Sequence, residues 1–235
     1  MSALRVAVVG ARGRMGRFAC ELLRTSPGFE LVAEVQREHA LEAVLRESGT
    51  EVALDVTAAG LGADHGKRML AAGTRPVIGT SGVTRAEAQE LDSLARTRAL
   101  GGIVVPNFSL GMACLNRAAE ELARSFPSVT IVERHHERKK DAPSGTSRDT
   151  AERLQARRGG GPIPIHSVRS PGSYAHQEVL FGAPGETLSL RHDMLGPEAF
   201  GPGLLAALRY ASRAHGVAFG LEVALGDVGP GPIAK

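Results

Sequence analysis

Short apolar runs alternate with amphipathic runs through the first half of the chain. The apolar runs, each of which predicts a strand, occupy residues 5–9, 31–35, 52–57, 75–78 and 102–105. Apolar positions at helical spacing follow the first run and recur within residues 65–72 and 84–98. Strands that alternate with helices in this way are typical of a parallel, doubly wound sheet.

The pattern changes beyond Gly111. Residues 112–124 have helical spacing, residues 129–132 form an apolar run, and residues 147–158 again favour a helix. Three later runs are apolar or alternate, with Gly and Pro turns between them: residues 163–169, 178–181 and 187–192. Such runs predict the mixed or antiparallel sheet of a second domain.

The last part of the chain predicts a return to the first domain. Residues 202–213 favour a helix, residues 217–225 a strand, and residues 226–235 a loose tail. We therefore predict an α/β protein with an N-terminal Rossmann-type, doubly wound parallel sheet and a smaller α+β domain with a mixed sheet. The predicted domains are residues 1–106 with 197–235, and residues 107–196.

Composition is that of a globular protein, and its small basic excess is explained by anionic small molecules at least as well as by nucleic acid. The 235 residues are 43% hydrophobic and 23% charged, with a net charge of +3. The basic residues are dispersed, Trp is absent and aromatic residues make up 4%, so the sequence disfavours nucleic-acid binding. Because neither a signal-peptide layout nor a membrane-spanning run is evident, we expect a cytoplasmic protein without a membrane partner.

The two cysteines do not suggest chemistry. Cys20 and Cys114 lie far apart in segments with helical spacing, and no C-x-x-C pattern is present. We predict two buried free thiols and no metal site.

A glycine-rich turn follows the first predicted strand and opens a predicted helix. In this turn, Gly10 would permit a tight bend, Gly13 would let a pyrophosphate approach the backbone, and Gly16 would allow close helix–strand packing. The spacing is G-x-x-G-x-x-G, because Arg12 occupies the usual middle glycine position. A bare glycine turn is the alternative, but the place after a buried N-terminal strand favours a dinucleotide site. The residues predicted to contact the cofactor here are Gly10, Ala11, Arg12, Gly13, Arg14 and Met15.

The end of the second predicted strand should sense the adenosine ribose. An acid is expected there for NAD, but the sequence has Gln36-Arg37, and Glu34 falls one step too early. Gln36 would hydrogen-bond ribose hydroxyls, whereas Arg37 with Arg12 and Arg14 would hold a 2′-phosphate. We therefore expect NADPH to be used at least comparably to NADH, although the arginines are also consistent with simple surface exposure.

Two polar loops follow the fourth and fifth predicted strands. Ligands of parallel sheets bind beyond the carboxyl ends of the strands, so both loops are predicted to lie beside the nicotinamide. Either loop alone would be an ordinary turn. The residues predicted to contact the cofactor are Gly79, Thr80, Ser81, Val105, Pro106, Asn107 and Phe108.

Residues 133–146 bring two imidazoles, several cations and a helix start into one short segment. Pro143-Ser144-Gly145 is typical of a turn, and Ser144 or Thr146 would cap the following helix. Backbone N–H groups above Gly145-Thr146 would then face a carboxylate or phosphate.

The same segment carries groups suited to proton transfer. Lys139 would place a flexible ammonium beside the anion, and His135 and His136 would titrate near neutral pH. A solvated loop followed by an ordinary turn and cap is the alternative interpretation.

These motifs resemble dihydrodipicolinate reductases over nearly the whole chain. The matching stretches are residues 10–16, Asp55-Val56-Thr57, residues 79–82, residues 106–112 and the Glu133-x-His135-His136-x-x-Lys139-x-Asp141-Ala142-Pro143-Ser144-Gly145-Thr146 motif. The resemblance implies reduction of 4-hydroxy-tetrahydrodipicolinate to tetrahydrodipicolinate with NADPH or NADH, in diaminopimelate and lysine biosynthesis. It also implies a substrate and oligomerisation domain at residues 107–196, and a homotetramer.

The resemblance implies roles for the segment as well. His135 would donate or accept a proton, with donation coming from its charged form. His136 would bind substrate, and Lys139 would be a further proton donor. The helix start, with Ser144, Gly145 and Thr146, would hold a substrate carboxylate.

Two departures from the family pattern limit what the resemblance implies for individual residues. Gln36 stands where many members have an acid, and Ala175-His176-Gln177 stands where many have Gly-Glu-His, so no role is assigned to His176. Another Rossmann dehydrogenase acting on an amino or imino acid, or a silent dinucleotide sensor, would share the first domain. Both leave His135, His136 and Lys139 without a function.

Overall fold

The computed structural model describes residues 2–227, with side chains to residue 226. The chain divides into two compact units, one comprising residues up to Phe108 with those from Phe200 onward, the other Ser109–Ala199. These limits lie within three residues of the predicted domain boundaries. The predicted tail at residues 226–235 falls almost entirely outside the described residues.

The first unit contains a parallel six-stranded sheet with the order β10-β5-β4-β3-β1-β2. Its strands are β1 (Leu4–Val9), β2 (Phe29–Val35), β3 (Val52–Asp55), β4 (Arg75–Ile78), β5 (Gly101–Val104) and β10 (Gly216–Phe219). The central strands are continuous apolar runs because helices cover both of their faces. Chain order reverses between β1 and β3, which is the point where parallel sheets open a crevice for ligands.

Five α-helices of this unit lie within the described residues, and the doubly wound prediction is confirmed. They are α1 (Arg14–Thr25), α2 (Leu41–Glu47), α3 (Gly62–Ala71), α4 (Arg85–Thr97) and α7 (Gly201–Arg213). Helix α2 is not predicted by the sequence pattern, because its seven residues bury only Leu41 and Leu45. The predicted strand at residues 217–225 is too long, since Gly220 adopts a φ of +95° and a 3₁₀ helix covers Leu221–Asp227.

The second unit contains a mixed four-stranded sheet with the order β7-β6-β8-β9, as the sequence pattern predicts. The strands are β6 (Ser128–His135), β7 (Ile165–Arg169), β8 (Ala175–Ala183) and β9 (Glu186–Met194), and the helices are α5 (Leu110–Leu122) and α6 (Gly145–Arg158). Strands β6 and β7 are parallel, whereas β8 is antiparallel to both β6 and β9. The helix predicted at residues 147–158 begins two residues earlier, because Ser144 is its N-cap.

Side chains on the helix-covered face of this sheet change from apolar to polar along the strands. One row across the four strands is Ile165, Ile131, Val179 and Leu190. The row two residues further along β6 is Ser167, Glu133, Gln177 and His192. The row after that contains Arg169 and His135. The core therefore gives way to titratable groups at the end of β6.

The two cysteines differ in their surroundings. Both are free, but Cys20 is buried whereas Cys114 is exposed, so the prediction of a buried thiol is wrong for Cys114. Cys114 lies on the solvent side of α5, between buried Ala113 and Leu115. Burial raises the pKa of the Cys20 thiol to about 11, which keeps it unreactive.

Neither a membrane-spanning helix nor a metal-binding cluster is present among the described residues. Among the described helices, none has both the length and the apolar character needed to cross a membrane. Residues 2–227 contain no group of three or more His, Cys, Asp or Glu side chains arranged to hold a metal ion.

Candidate active site

The glycine turn after β1 has a backbone that other residues cannot adopt. Gly10 has a φ of +86°, and a Cβ there would lie 2.9 Å from Cγ2 of Thr57. Gly16 is more tightly confined, since its Cβ would lie 2.1 Å from the carbonyl oxygen of Gly10. Gly16 therefore lets α1 approach the turn itself, rather than the strand as the sequence interpretation proposed.

Helix α1 starts directly over this turn. Gly13 is its N-cap and supplies no side chain, and the first turn contains no acidic residue. The first N–H groups of a helix have no intrahelical partners, so this end of α1 favours an anion. Ala11 is buried and Met15 is half-buried, whereas Arg12 and Arg14 extend into solvent. The geometry fits a pyrophosphate at this turn.

The end of β2 carries an acid that sequence reasoning missed. Gln36 is half-buried and Arg37 is exposed, as expected for groups that reach a ribose. Glu38, two residues after Gln36, accepts a hydrogen bond from Arg12 at 3.0 Å, and both side chains are largely exposed. Arg12 is therefore already paired with a carboxylate, while Arg37 and Arg14 have no hydrogen-bond partner among the described residues.

A buried polar cluster lies at the carboxyl end of β3. Asp55 is fully buried and accepts hydrogen bonds from the backbone N–H and the hydroxyl of Thr57, at 2.9 and 2.6 Å. Its other oxygen is 3.1 Å from Nδ1 of His65, on α3. This hydrogen bond raises the pKa of His65 against the opposing effect of burial. His65 is a second residue that sequence reasoning missed, because no local pattern links it to Asp55.

The loops after β3, β4 and β5 meet at one edge of the sheet. The N–H of Thr57 donates to the hydroxyl of buried Thr80 at 3.0 Å. A Cβ at Gly79 would lie 2.4 Å from the ring of buried Phe108, so glycine is required there. Ser81 and Pro106 are exposed beside them. Val105 is buried and Asn107 half-buried. The structure thus brings both predicted loops to the carboxyl edge of the sheet, with β1 and its glycine turn.

The end of β6 holds His135 against a carboxylate. His135 is the last residue of the strand, and its Nδ1 is hydrogen-bonded to Oε2 of Glu133, two residues earlier on the same face. Burial would raise the pKa of Glu133, but hydrogen bonds from Arg169, Ser167 and His135 keep it below its usual value. Glu133 is therefore ionised, so Nδ1 of His135 carries the hydrogen and Nε2 is the nitrogen left for chemistry.

The pKa of His135 is lowered. Burial of the imidazole is the main cause, and the positive charges of Lys139 and Arg169 act in the same direction, against Glu133. The sequence interpretation expects a charged His135, whereas these surroundings favour the neutral ring. A charged form needs additional negative charge nearby.

His136 and Lys139 lie in the loop that follows β6. His136 is exposed, whereas His135 is half-buried, so the two adjacent imidazoles have different environments. The ammonium of Lys139 is 2.9 Å from Oδ1 of Asp141. Lys139 is therefore paired with a neighbouring acid, and its side chain is 23% exposed.

The start of α6 is open above its first residues. Ser144 is buried, and its hydroxyl accepts from the N–H of Ser147 at 3.1 Å. Ser144 therefore acts as the N-cap and does not face solvent. Gly145 is exposed with no heavy atom within 4 Å of a hypothetical Cβ, and the first turn contains no acidic residue. Thr146 is half-buried beside it. A helix start of this kind, open above Gly145, favours an anion.

His176 lies away from these groups. Its Nδ1 is 2.6 Å from Oδ1 of Asp193, on the opposite face of the sheet from Glu133. Arg169, by contrast, contacts Glu133 directly, and sequence reasoning missed it because a single arginine at the end of a strand gives no signal.

Comparisons with known proteins agree with this geometry. The family model described as dihydrodipicolinate reductase, N-terminus, matches residues 4–108, and that described as dihydrodipicolinate reductase, C-terminus, matches residues 109–225. Relatives named 4-hydroxy-tetrahydrodipicolinate reductase include one from Legionella pneumophila (strain Lens), 38% identical over 93% of this chain and 98% of its own. Another, from Moorella thermoacetica, is 37% identical over 94% and 98%.

A solved structure extends the similarity to three dimensions. It is a dipicolinate-bound dihydrodipicolinate reductase from Paenisporosarcina sp. TG-14, 33% identical, with a TM-score of 0.85 over 95% of this chain and 100% of that one. The similarity therefore covers both units and nearly the whole length of the chain. The chain belongs to the dihydrodipicolinate reductase family.

Proposed function

We propose that this protein is the 4-hydroxy-tetrahydrodipicolinate reductase of diaminopimelate and lysine biosynthesis. The observation that carries the proposal is the end of β6, where Glu133 fixes His135 in the same unit as the open start of α6 at Gly145. A proton carrier and an anion-receptive helix start suit a substrate that is both a dicarboxylate and an imine. Family membership points to the same reaction.

The first unit fits a nicotinamide dinucleotide. A Cβ at Gly10 or Gly16 would clash with the backbone of the turn or with Thr57, so the turn requires glycine at both positions. Gly13 is the N-cap of α1, and no side chain of Gly13 covers the first N–H groups of the helix. These groups would hold the pyrophosphate, while the loops at Gly79 and Pro106 would hold the nicotinamide end. When bound, the reduced nicotinamide supplies a hydride.

The second unit supplies charge for the substrate carboxylates. The N–H groups at Gly145 and Thr146 would hold one carboxylate, and Lys139 would add its ammonium after exchanging Asp141 for the substrate. His136 is exposed in the loop before Lys139 and would bind the ring or its carboxylates. Two anionic groups of the substrate thus have separate partners.

His135 would carry the proton. Overall, the reaction removes the 4-hydroxyl as water and adds one hydride and one proton across the conjugated imine. The free protein favours neutral His135, but a bound dianion would raise its pKa and restore the charged form. Nε2 would then donate the proton while Glu133 stabilises the imidazolium through Nδ1.

NADPH should be used at least comparably to NADH. Arg37 and Arg14 are exposed at the ribose end, and Arg12 is paired only with the exposed Glu38. An exposed ion pair contributes about 0–1 kcal/mol, so a 2′-phosphate would readily displace Glu38 from Arg12. Gln36 would hydrogen-bond the ribose hydroxyls of either cofactor.

The assembly proposed is a cytoplasmic homotetramer formed through the second unit. The face of its sheet away from the helices carries half-buried Val132 and Arg134 and exposed Val168. Nε of Arg134 is buried without a hydrogen-bond partner among the described residues. A second copy of the chain on this face would cover the apolar side chains and offer acceptors to Arg134.

One assay tests the reaction. The protein is mixed with NADPH or NADH and the freshly formed condensation product of pyruvate and aspartate semialdehyde, and the nicotinamide absorbance is followed. We expect oxidation of the cofactor only when the condensation product is present, and we expect mass spectrometry to identify tetrahydrodipicolinate as the product. Absence of substrate-dependent oxidation with either cofactor overturns the proposed function.

A further inference from the structure

The side chain of Arg169 joins two parts of the second-unit site. Its Nη1 and Nη2 donate to Oε2 and Oε1 of Glu133 at 3.0 and 2.9 Å, which is a bidentate pair. Glu133 is fully buried, and its Oε2 also contacts Nδ1 of His135. Arg169 therefore reaches the imidazole through a carboxylate that is shielded from water.

The same guanidinium holds the loop that carries Lys139. Nη2 of Arg169 donates to the carbonyl oxygen of Asp141 at 2.6 Å, and Nε donates to that of Lys139 at 3.3 Å. A guanidinium presents its donors in a rigid planar fork, which an ammonium cannot reproduce. One side chain thus fixes both the carboxylate behind His135 and the backbone around Lys139.

We propose that Arg169 is a positioning residue for the reduction, acting through Glu133 on the ring of His135 and through the loop backbone on Lys139. It keeps Glu133 ionised, which places the hydrogen of His135 on Nδ1 and leaves Nε2 to exchange the proton. The inference rests on the proposed reductase function, and it adds a residue that does not itself touch the substrate.

The charges around His135 give this role a measurable consequence. The groups that face the imidazole are Glu133 on its own strand, Arg169 on β7, and Lys139, whose ammonium is paired with Asp141. Without Arg169, buried Glu133 loses its bidentate partner and holds a proton more readily, and the negative charge of Glu133 is the effect that favours protonation of His135. The pKa of His135 should therefore fall in a neutral variant and change less when lysine, which keeps the positive charge beside Glu133, replaces arginine.

The test compares Arg169→Gln with Arg169→Lys in the full-length protein. Arg169→Gln should lower kcat by about 10- to 100-fold, the scale of losing an outer partner of a functional histidine, and move the alkaline limb of the kcat profile to lower pH. Arg169→Lys should keep the limb near its wild-type position but raise KM, because the bonds to the loop are lost. Arg157→Gln is the matched control, since Arg157 pairs with Glu120 in the same unit and should affect neither quantity.

A second measurement does not depend on turnover. In ¹⁵N NMR spectra without substrate, His135 should show hydrogen on Nδ1 in the wild type and a mixture of tautomers in Arg169→Gln. A wild type that fails to reduce the substrate refutes the proposed function, and the spectra still decide whether Arg169 positions the ring. An Arg169→Gln protein that only loses thermal stability, with its pH limb and tautomer unchanged, overturns the inference.

Discussion

At the scale of single residues, the two adjacent histidines have different surroundings. His135 ends β6 with its ring half-buried against Glu133, whereas His136 is exposed in the following loop. A ring held by a buried carboxylate has a fixed tautomer and orientation, which proton transfer requires. An exposed ring is suited to binding.

The first prediction separates these roles by mutation. His135→Gln should lower kcat by about 10²–10⁴-fold, the usual loss when a general acid is removed. His136→Gln should instead raise KM with a smaller change in kcat. Steady-state kinetics of both variants measures the difference, and equal effects on kcat would contradict the division of roles.

The second prediction concerns pH. Burial, Lys139 and Arg169 lower the pKa of His135 in the free protein, whereas a bound dicarboxylate should raise it. Because the acid must be protonated, activity should fall as pH rises through this pKa. The limb of kcat/KM, which reports the free enzyme, should therefore lie at lower pH than the limb of kcat, which reports the complex. Coincident limbs, or a limb that survives in His135→Gln, would assign the titration to another group.

The third prediction concerns the cofactor. Arg37 is exposed at the ribose end of the first unit, so Arg37→Ala should weaken NADPH by about 1–3 kcal/mol, through loss of charge-assisted bonds to phosphate. NADH binding should change little. Fluorescence titration with both cofactors measures this, and Arg46→Ala provides a control arginine on α2. Equal losses for NADPH and NADH would remove Arg37 from the 2′ site.

Sequence reasoning reached the residues of the motifs but not their partners. His135, Lys139 and Gly145 lie within one short segment, so their proximity follows from the chain itself. The bond between Glu133 and Arg169 joins residues 36 apart, and it depends on the register between β6 and β7. That register is set by tertiary packing, so no local pattern reveals it.

At the scale of secondary structure, the start of α6 shows how a cap positions a site. Ser144 caps the helix and its hydroxyl lies 2.8 Å from that of Ser147, which in turn donates to Gln177 on β8 at 2.7 Å. The helix start is thus fastened to the sheet through a buried chain of hydrogen bonds. This arrangement explains why α6 begins at Gly145, two residues before the helix that the sequence pattern predicts.

The fourth prediction tests this fastening. Ser144→Ala should lower the free energy of unfolding by about 1–2 kcal/mol, since a cap is lost and a buried partner is left unsatisfied. It should also raise KM, because the N–H groups at Gly145 lose their fixed direction. Thr84→Ala removes the cap of α4 in the first unit and is the control. Thr84→Ala should lower the free energy of unfolding by a similar amount without changing KM. A matching rise in KM in Thr84→Ala would show that KM responds to instability in general.

At the scale of the whole molecule, α5 and α6 cover one face of the second sheet, and no described helix of the second unit covers the other face. Val168 is 43% exposed on this face, and Arg134 has a buried Nε without a partner among the described residues. Hydropathy along the strands predicts that a mixed sheet forms, but it does not indicate which of its faces is suited to pairing with another copy. The exposed valine and the unsatisfied guanidinium nitrogen are the reasons why the proposed tetramer is expected to form through this face.

The fifth prediction is that Val168→Lys dissociates the assembly. Val168 lies opposite Arg134 on the neighbouring strand, so a lysine there would place a second cation beside the guanidinium. If copies of the chain pack through this face, burying that ammonium would cost far more than the lost valine contacts, so the tetramer should fall to smaller species. Leu61→Lys is the control, because Leu61 is comparably exposed, at 45%, but lies in the first unit. Analytical ultracentrifugation should give a tetramer mass for the wild type and the control, and a lower mass for Val168→Lys. A wild-type monomer, or an unchanged mass in Val168→Lys, would place the interface elsewhere or remove it.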